Sequence, residues 1–552
     1  MSYDKLLALL RNGENEQTEF KRILLEKDLS SRRRSKLIAQ IKFITSQGEG
    51  TFVIGVEDLH NKKWVIYGLS EEQLSKSEEI LDELCNEAGV KIVSRERIET
   101  DKGYIGLYKL SSEEVLDEEI EMIPINVVGR VNAGKSSLIG ALVTGRNDNG
   151  KGLTRSYLLT YPQEIVKGQT ADLHLLFLAF DHNKKPILLK NPLSHDERAA
   201  VIGRAKRIIT FFDAPGHEEF SKTMIRSILG SSSQYGLVLI PVDDEYELIQ
   251  GSIRRLNKAQ MDGITREHLI LMLSSEIPFL ILLTKVDAVD NDKIEFVKSV
   301  LKDTLKRVGR VPFSVRNEDD LKIALRELNN NVIVPIMEIS SVTGKNMGLL
   351  LKFLSEIGDT IPKHIINQPG LAYIDKIYRG IPGVAVVVSG TVLSGNFKTG
   401  QEIKIGPDEN GTFHQGAIGS IEVFSKRVFH IKAGDVFGAS IKKVEPSILR
   451  RGQVIADVDY PLSATREFEA NILVTKHPTR ITLGYNPVLQ CRTIQQTVEL
   501  LEIYDKDYLV VGEMGRVRLR FKYYPEFLLE GDKIVLREAN TRAIGTITKK
   551  LD

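Results

Sequence analysis

The sequence predicts a multidomain chain: an α+β domain over residues 1–118, a P-loop α/β domain over 121–362, and two C-terminal β-barrels over 366–460 and 464–552. Three observations predict it. At 552 residues the chain exceeds what one hydrophobic core supports, at roughly 150 residues per domain. The stretch PINVVGRVNAGKSSLIG, residues 124–140, puts an apolar run of strand type, a glycine loop and a helix start in succession. From Leu371 onward the pattern changes to short β-rich runs bounded by Gly, Pro or Asn, as barrels require.

Charged residues make up 27% of the chain and the formal charge is +1, so any affinity for nucleic acid must be local. Cys85 and Cys491 are the only cysteines, too few for a disulfide framework or a Cys-based zinc site, which suits a reducing compartment. No run approaches 18 apolar residues, and the opening MSYDKLLALLRNGENEQTEFK carries charges where a secretion signal needs an apolar centre. A cytoplasmic monomer with no membrane contact is expected.

Residues 1–120 hold 18 basic and 24 acidic residues and read as a separate unit. A helix is expected at 37–43 and a strand at 51–56. The segments ENEQTEFK, GEGTFVIGVED and YGLSEE resemble the divergent domain of Schlafen-type and AlbA-like proteins, some of which touch RNA. Two uses stay open: a docking module, or metal-assisted RNA cutting with Glu14, Glu19 and Glu57 around a divalent ion. The run Arg32, Arg33, Arg34, Lys36 reads either as a solvated face or as an RNA contact. The acidic stretch 111–121 is the expected connector to the next domain.

In the glycine loop, Gly129 and Gly134 free the backbone to curl its N–H groups around an anion. Val131, Asn132, Ala133 and Ser137 complete the phosphate-binding set. Lys135 reaches the β- and γ-phosphates, and Ser136 offers a hydroxyl to Mg²⁺. Apolar strands are expected at 208–212, 237–242, 279–283 and 332–339, with helices between them at 293–308 and 347–357. That alternation predicts a parallel sheet covered on both faces, with ligands beyond the strand C-terminal ends. Three motifs fall at such ends. After RIITFF come Asp213, a carboxylate for the Mg²⁺ shell, and Gly216, an N–H for the γ-phosphate. After FLILL come Thr284, Lys285 and Asp287. The Asp287 carboxylate can accept from guanine N1 and N2 while the Lys285 stem covers the base. After VPIMEI, Ser340 and Ser341 offer a backbone N–H to guanine O6. Adenine has no donor pair for Asp287, so GTP and GDP are the expected ligands.

DAPGHEEFSKTMI and DGITREHLILM resemble elongation factor Tu and its relatives. EIVKGQT, TKVD and SSVTG are most similar to the translational GTPases of the GTP-binding protein one and two group. The resemblance implies that Thr170 is the second Mg²⁺ ligand of a mobile switch, that His217 positions the attacking water, and that Val131 forms one side of its hydrophobic gate. Two positions depart from the elongation factors. Thr284 stands for the usual Asn, which removes an amide, and Asn132 stands for the usual Asp. The loop GRVNAGKS also resembles that of potassium-activated G proteins, so Asn132 is read either as a ligand to a monovalent cation, K⁺ before Na⁺, or as a loop hydrogen-bonder. The segment 171–206 is long for a switch connection and has no reading.

Beyond Leu371, AYIDKIYRG, GVAVVVSGTV, EIKIGP, GAIGSIEVF and DVFGASIKK read as the strands of one barrel. FEANILVTK, NPVLQCR, GRVRLRFKYYPEF, DKIVLRE and RAIGTIT read as those of a second. This domain order, with RGIPGVAVVVSGTVLSG, KHPTRI and LREANTRAIGTI, again resembles the same group. In GRVRLRFKYY, period two puts Arg516, Arg518, Arg520 and Lys522 on one strand face, either as an RNA contact or as a solvent face paired with neighbouring acids. The resemblance implies a GTPase that binds aminoacyl-tRNA and the ribosome in its GTP state. The alternative is a GTP-gated factor or adaptor that brings the first domain to mRNA and the RNA-decay machinery.

Overall fold

The computed structural model describes residues 6–7, 9–10, 18–26, 31–45, 49–58, 64–112, 120–158, 174–214, 221–230, 232–243, 263–379, 386–538 and 541–551. The first unit runs β1 (Thr18–Lys21), α1 (Ser31–Ile44), β2 (Glu49–Ile54), β3 (Val56–Asp58), β4 (Trp64–Ile66), α2 (Glu71–Ala88), β5 (Val90–Thr100) and β6 (Gly103–Ser112). Its sheet has the order β1-β2-β6-β5. Strand periodicity sorts the side chains: Phe52, Ile54, Tyr108 and Leu110 pack with Ile41 of α1 and Leu81 of α2, while Val53, Ile105 and Leu107 pack on the other side with Leu6 and Leu10. Helix α2 starts on a Ser70–Gln73 capping box and stops at Gly89 in the left-handed conformation, φ 69°.

Glu19 lies buried in β1, its carboxylate already taken by Lys21 and by the Gln40 amide at 2.8 Å. Glu14 lies outside the described residues, and among the described residues no group of three His, Cys, Asp or Glu side chains could hold a metal. In the basic run, Arg34 donates to Glu83 and Glu87 of α2 at 2.7 and 2.5 Å, so this cation ties two helices together.

The second unit comprises β7 (Glu121–Val128), α3 (Lys135–Thr144), α4 (Leu153–Ser156), β8 (His174–Phe180), β9 (Pro186–Ile187), α5 (His195–Ile202), β10 (Arg207–Asp213), α6 (Ser221–Gly230), β11 (Tyr235–Pro241), α7 (Gly263–Ser275), β12 (Phe279–Thr284), α8 (Asn291–Arg307), β13 (Val311–Ser314), α9 (Glu318–Glu327), β14 (Ile333–Glu338) and α10 (Met347–Glu356). The sheet order is β13-β14-β12-β11-β7-β10-β8-β9. From β13 to β10 all pairings are parallel. Both faces are covered: Ile123, Ile125 and Val127 of β7 join one core with Leu138 and Leu142 of α3, and Val128 joins another with Ile225 of α6 and Met272 of α7.

The expectation of a parallel sheet needs one correction. Strand β8 runs antiparallel to β10, so the sheet is mixed at the edge built by the segment that had no reading. The run HLLFLAF is as apolar as its parallel neighbours, and composition does not encode strand direction. The same edge docks on the first barrel: Phe177 of β8 packs 4.6 Å from Phe424 between ring centres, and the His195 ring lies 2.8 Å from the Ser425 hydroxyl.

Six strands close the first barrel in the cyclic order Leu371–Arg379, Val386–Ser394, Val436–Lys442, His414–Val423, Glu402–Gly406, Val454–Asp457. A second ring closes through Glu467–Lys476, Met514–Phe521, Ile494–Ile503, Val488–Cys491, Lys533–Glu538 and Thr541–Lys550. Along Met514–Phe521 the alternation holds, with Val517, Leu519 and Phe521 fully buried. The outward arginines do not stand free. Arg516 donates to Glu469 at 2.6 Å, and Arg518 and Arg520 both pair with Glu467. Across the other edge, Glu499 and Glu502 stand opposite Arg520 and Arg518. This is the charge-paired face, so the stripe has little net positive field to offer a phosphate backbone.

Between the barrels, Arg450 donates to both oxygens of Glu526 at 2.9 and 2.8 Å, and Glu526 is 2% exposed. Gln496 supplies a third donor at 3.0 Å. Both cysteines are buried thiols, and no described helix is long and apolar enough to cross a membrane. Glu526→Ala strands a desolvated guanidinium and is expected to cost about 3 kcal/mol in urea unfolding of the barrels. Lys533→Ala, which removes the exposed pair with Glu276 at 2.9 Å, is expected to cost less than about 1 kcal/mol.

Candidate functional site

A cavity of about 500 Å³ opens beyond the C-terminal ends of the parallel strands. Strand β7 delivers the chain into the loop 129–134, and α3 begins at Lys135. A Cβ on Gly129 would come within 2.7 Å of the Leu239 carbonyl oxygen, so the loop can leave the sheet this tightly only with glycine there. Gly134 has φ 89° and Asn132 φ 60°. Both take the left-handed region, which Asn tolerates better than most side chains. Val131, Asn132, Gly134, Lys135, Ser136 and Ser137 line the cavity, while Ala133 is fully buried behind it.

Lys135 donates to the Gly129 and Arg130 carbonyls at 2.7 and 3.1 Å. Burial pushes its ammonium down to about 8, with Asp213 pulling the other way. A phosphate beside it would restore the charge. Ser136 donates from Oγ to Asp213 Oδ2 at 2.7 Å, where Asp213 ends β10 at 1% exposure. A hydroxyl and a carboxylate this close form the hard oxygen set that Mg²⁺ takes. Thr170, Gly216 and His217 lie outside the described residues.

On the other side of the cavity, Lys285, Asp287 and Ser341 line the wall. Lys285 is anchored by Asp243 at 2.8 Å. Ser340 sits beneath the loop rather than on its surface: it is 1% exposed, and its hydroxyl accepts from the Val342 and Thr343 N–H groups at 3.2 and 3.0 Å. Thr284 contributes more than the loss of an amide suggested. Its hydroxyl donates to the Ala133 carbonyl at 2.8 Å, so the end of β12 holds the phosphate loop directly.

Four charged lining residues were missed from the sequence: Asp148, Lys151, Arg155 and Asp243. Asp148 accepts from the Gly150, Gly152 and Thr154 N–H groups at 3.0, 3.2 and 2.9 Å. Burial would raise its carboxyl, and these hydrogen bonds hold it below the usual range instead. The D-N-G-K-G-x-T order that closes this turn was the available signal.

A phosphate loop, a base-side carboxylate and two following barrels define a nucleotide-driven multidomain protein, and known proteins share the arrangement. The family described as elongation factor Tu GTP binding domain matches residues 120–360, and elongation factor Tu domain 2 matches residues 385–456. GTP-binding protein 1 of Xenopus laevis is 30% identical over 549 residues, spanning 98% of this chain and 80% of that protein. GTP-binding protein 2 of Mus musculus is 29% identical over 535 residues, spanning 94% and 85%. The crystal structure of a bacterial selenocysteine-specific elongation factor shares the fold at TM-score 0.55 and 17% identity, over 78% of this chain and 58% of that one. The chain belongs to the elongation factor Tu superfamily of translational GTPases, in the group of GTP-binding proteins 1 and 2. It is a GTPase.

The Thr284 contact generates a test. Thr284→Val keeps the shape and leaves the buried Ala133 carbonyl unpaired, a loss of about 1–3 kcal/mol. GDP and GTP affinities are expected to fall together by about tenfold in fluorescent-nucleotide titrations, because the loop cradles both.

Proposed function

We propose that this GTPase is a translation factor of the elongation type, whose GTP form binds aminoacyl-tRNA and the ribosome. The observation that carries the reading is the short path from the pocket to the barrels. Asp213 closes β10 behind the pocket, where it accepts from Ser136, and the next described helix, α6, packs on the second-barrel strands Val488–Cys491 and Lys533–Glu538. The fit is close enough that a Cβ on Gly230 would meet the Arg492 carbonyl at 2.9 Å. Chain movement beside a γ-phosphate would therefore reach the barrel wall.

Within the pocket, Lys135 holds the β- and γ-phosphates and Asp287 reads guanine. Ser136, Asp213 and, by resemblance, Thr170 would hold Mg²⁺, which when bound neutralises charge on the transferred phosphoryl group. Gly216 would sense the γ-phosphate and His217 would orient the attacking water. Asn132 offers a neutral amide oxygen on the same wall, which supports a K⁺-favouring cation there. The RNA-adaptor alternative draws its support from the docked first unit, where Arg427 of the first barrel donates to the Lys42 carbonyl at 3.3 Å.

The test is GTP hydrolysis with and without ribosomes and aminoacyl-tRNA. Stimulation by ribosomes is expected, with His217→Ala keeping GTP affinity and losing about 100-fold or more of the stimulated rate. The same assay run in K⁺ and in Na⁺ reports on Asn132: the K⁺ advantage should vanish in Asn132→Ala. Asp287→Asn is expected to exchange GTP for xanthosine triphosphate, whose 2-oxo group accepts the amide donor. A rate indifferent to ribosomes, with RNA captured equally in the GTP and GDP states, would defeat the translation reading.

A further inference from the structure

We propose that Lys151 and Arg155 form a second anion contact in the nucleotide site, on the α-phosphate side, which grips GDP and GTP alike. The proposal rests on the nucleotide reading of the cavity. Its basis is the turn between α3 and α4. The turn is fastened at two points: the Thr154 hydroxyl donates to the Ser137 carbonyl at 2.8 Å, and the Asp148 N–H donates to the Ser341 carbonyl at 2.8 Å. Ser137 belongs to the first turn of the phosphate-side helix and Ser341 to the base-side loop. A segment bolted to both must run beside the part of a nucleotide that joins base to β-phosphate.

The turn is also rigid. Asn149 Oδ1 accepts from the Lys151 and Leu153 N–H groups at 2.9 and 3.2 Å, and α3 lies so close that a Cβ on Gly140 would sit 2.3 Å from the Thr154 oxygen. Asp148 spends its charge on backbone N–H groups inside the turn, so this acid does not face the cavity as a free anion. Lys151 and Arg155 line the cavity, and among the described residues neither has an acidic partner. Lys285, by contrast, is neutralised by Asp243. Gly152, at φ 85°, leaves the room that the guanidinium occupies, since a Cβ there would lie 2.7 Å from its terminal nitrogen. Two unneutralised cations on a fixed turn are a built counter-charge for a phosphate.

Contacts on the α-phosphate side cannot distinguish GTP from GDP, so they set retention of nucleotide rather than the switch. With the full-length chain, Lys151→Ala and Arg155→Ala are each expected to weaken GDP and GTP by about tenfold, the scale of one charge-assisted bond. The ratio of the two affinities should hold, GDP release should quicken, and competition by guanosine, which has no phosphate, should not change. Arg155→Lys should recover part of the loss. Unchanged GDP affinity in the double variant, while Lys135→Ala loses binding, would overturn this contact alone. Equal loss for guanosine would overturn it too, by showing a collapsed turn. Full nucleotide binding in Lys135→Ala as well as in the double variant would remove the pocket reading with it.

Discussion

The structure depends on one constraint: a polyphosphate anion must be met by backbone N–H groups, and a loop curled to present them does not hold that shape alone. Here three neighbours hold it. The sheet presses Leu239 against Gly129, the Thr284 hydroxyl fixes Ala133, and Lys135 folds back on the carbonyls of Gly129 and Arg130. Each neighbour comes from the end of a strand or the start of a helix in one parallel stack. The parallel sheet therefore does more than form a core; it brings the ends of β7, β10, β11 and β12 to one level. That is why motifs scattered over more than 150 residues of sequence converge on one cavity.

The parallel strands were legible because strands buried on both faces read as near-continuous apolar runs, as RIITFF, FLILL and VPIMEI do. The two barrels were legible from their turns. What escaped has physical reasons. The direction of β8 follows from its partner, since HLLFLAF reads the same either way. Strand Ile494–Ile503 went unread because IQQTVELLEI is rich in Gln and Glu, and only the bulge between Leu500 and Glu502 reconciles its pattern with the barrel. The arginine stripe was visible but its acids were not. Glu467 and Glu469 lie some fifty positions away and meet Arg516, Arg518 and Arg520 only through strand register.

The site shows the same division. Residues whose chemistry is local, such as Lys135 and Ser136 at the head of a helix, could be read from spacing. Residues whose role depends on a distant contact could not. Ser340 and Ser341 look equivalent in SSVTG, yet the first turns its hydroxyl into the loop and the second gives its carbonyl to Asp148. Thr284 looked like a loss of one amide, and its hydroxyl instead pins the loop 151 positions earlier.

The joints between units differ in what it costs to open them. The barrels share one apolar cluster, in which Leu371, Tyr373 and Val454 of the first pack with Phe468 and Phe527 of the second. Arg450 and Glu526 add a buried ion pair that water would have to enter to separate. Where the nucleotide domain meets the second barrel, Val535 is buried with Ile225 and Ile228, and the ion pair among the described residues is Glu276 with Lys533, at 69% and 32% exposure, which is worth little. On the first-barrel side one apolar cluster runs from the nucleotide domain into the barrel, with Phe177 stacked on Phe424 and the His195 ring against the Ser425 hydroxyl at its edge. The ion pair that resists separation most thus lies between the barrels, and the weakly held one lies at the face of the nucleotide domain.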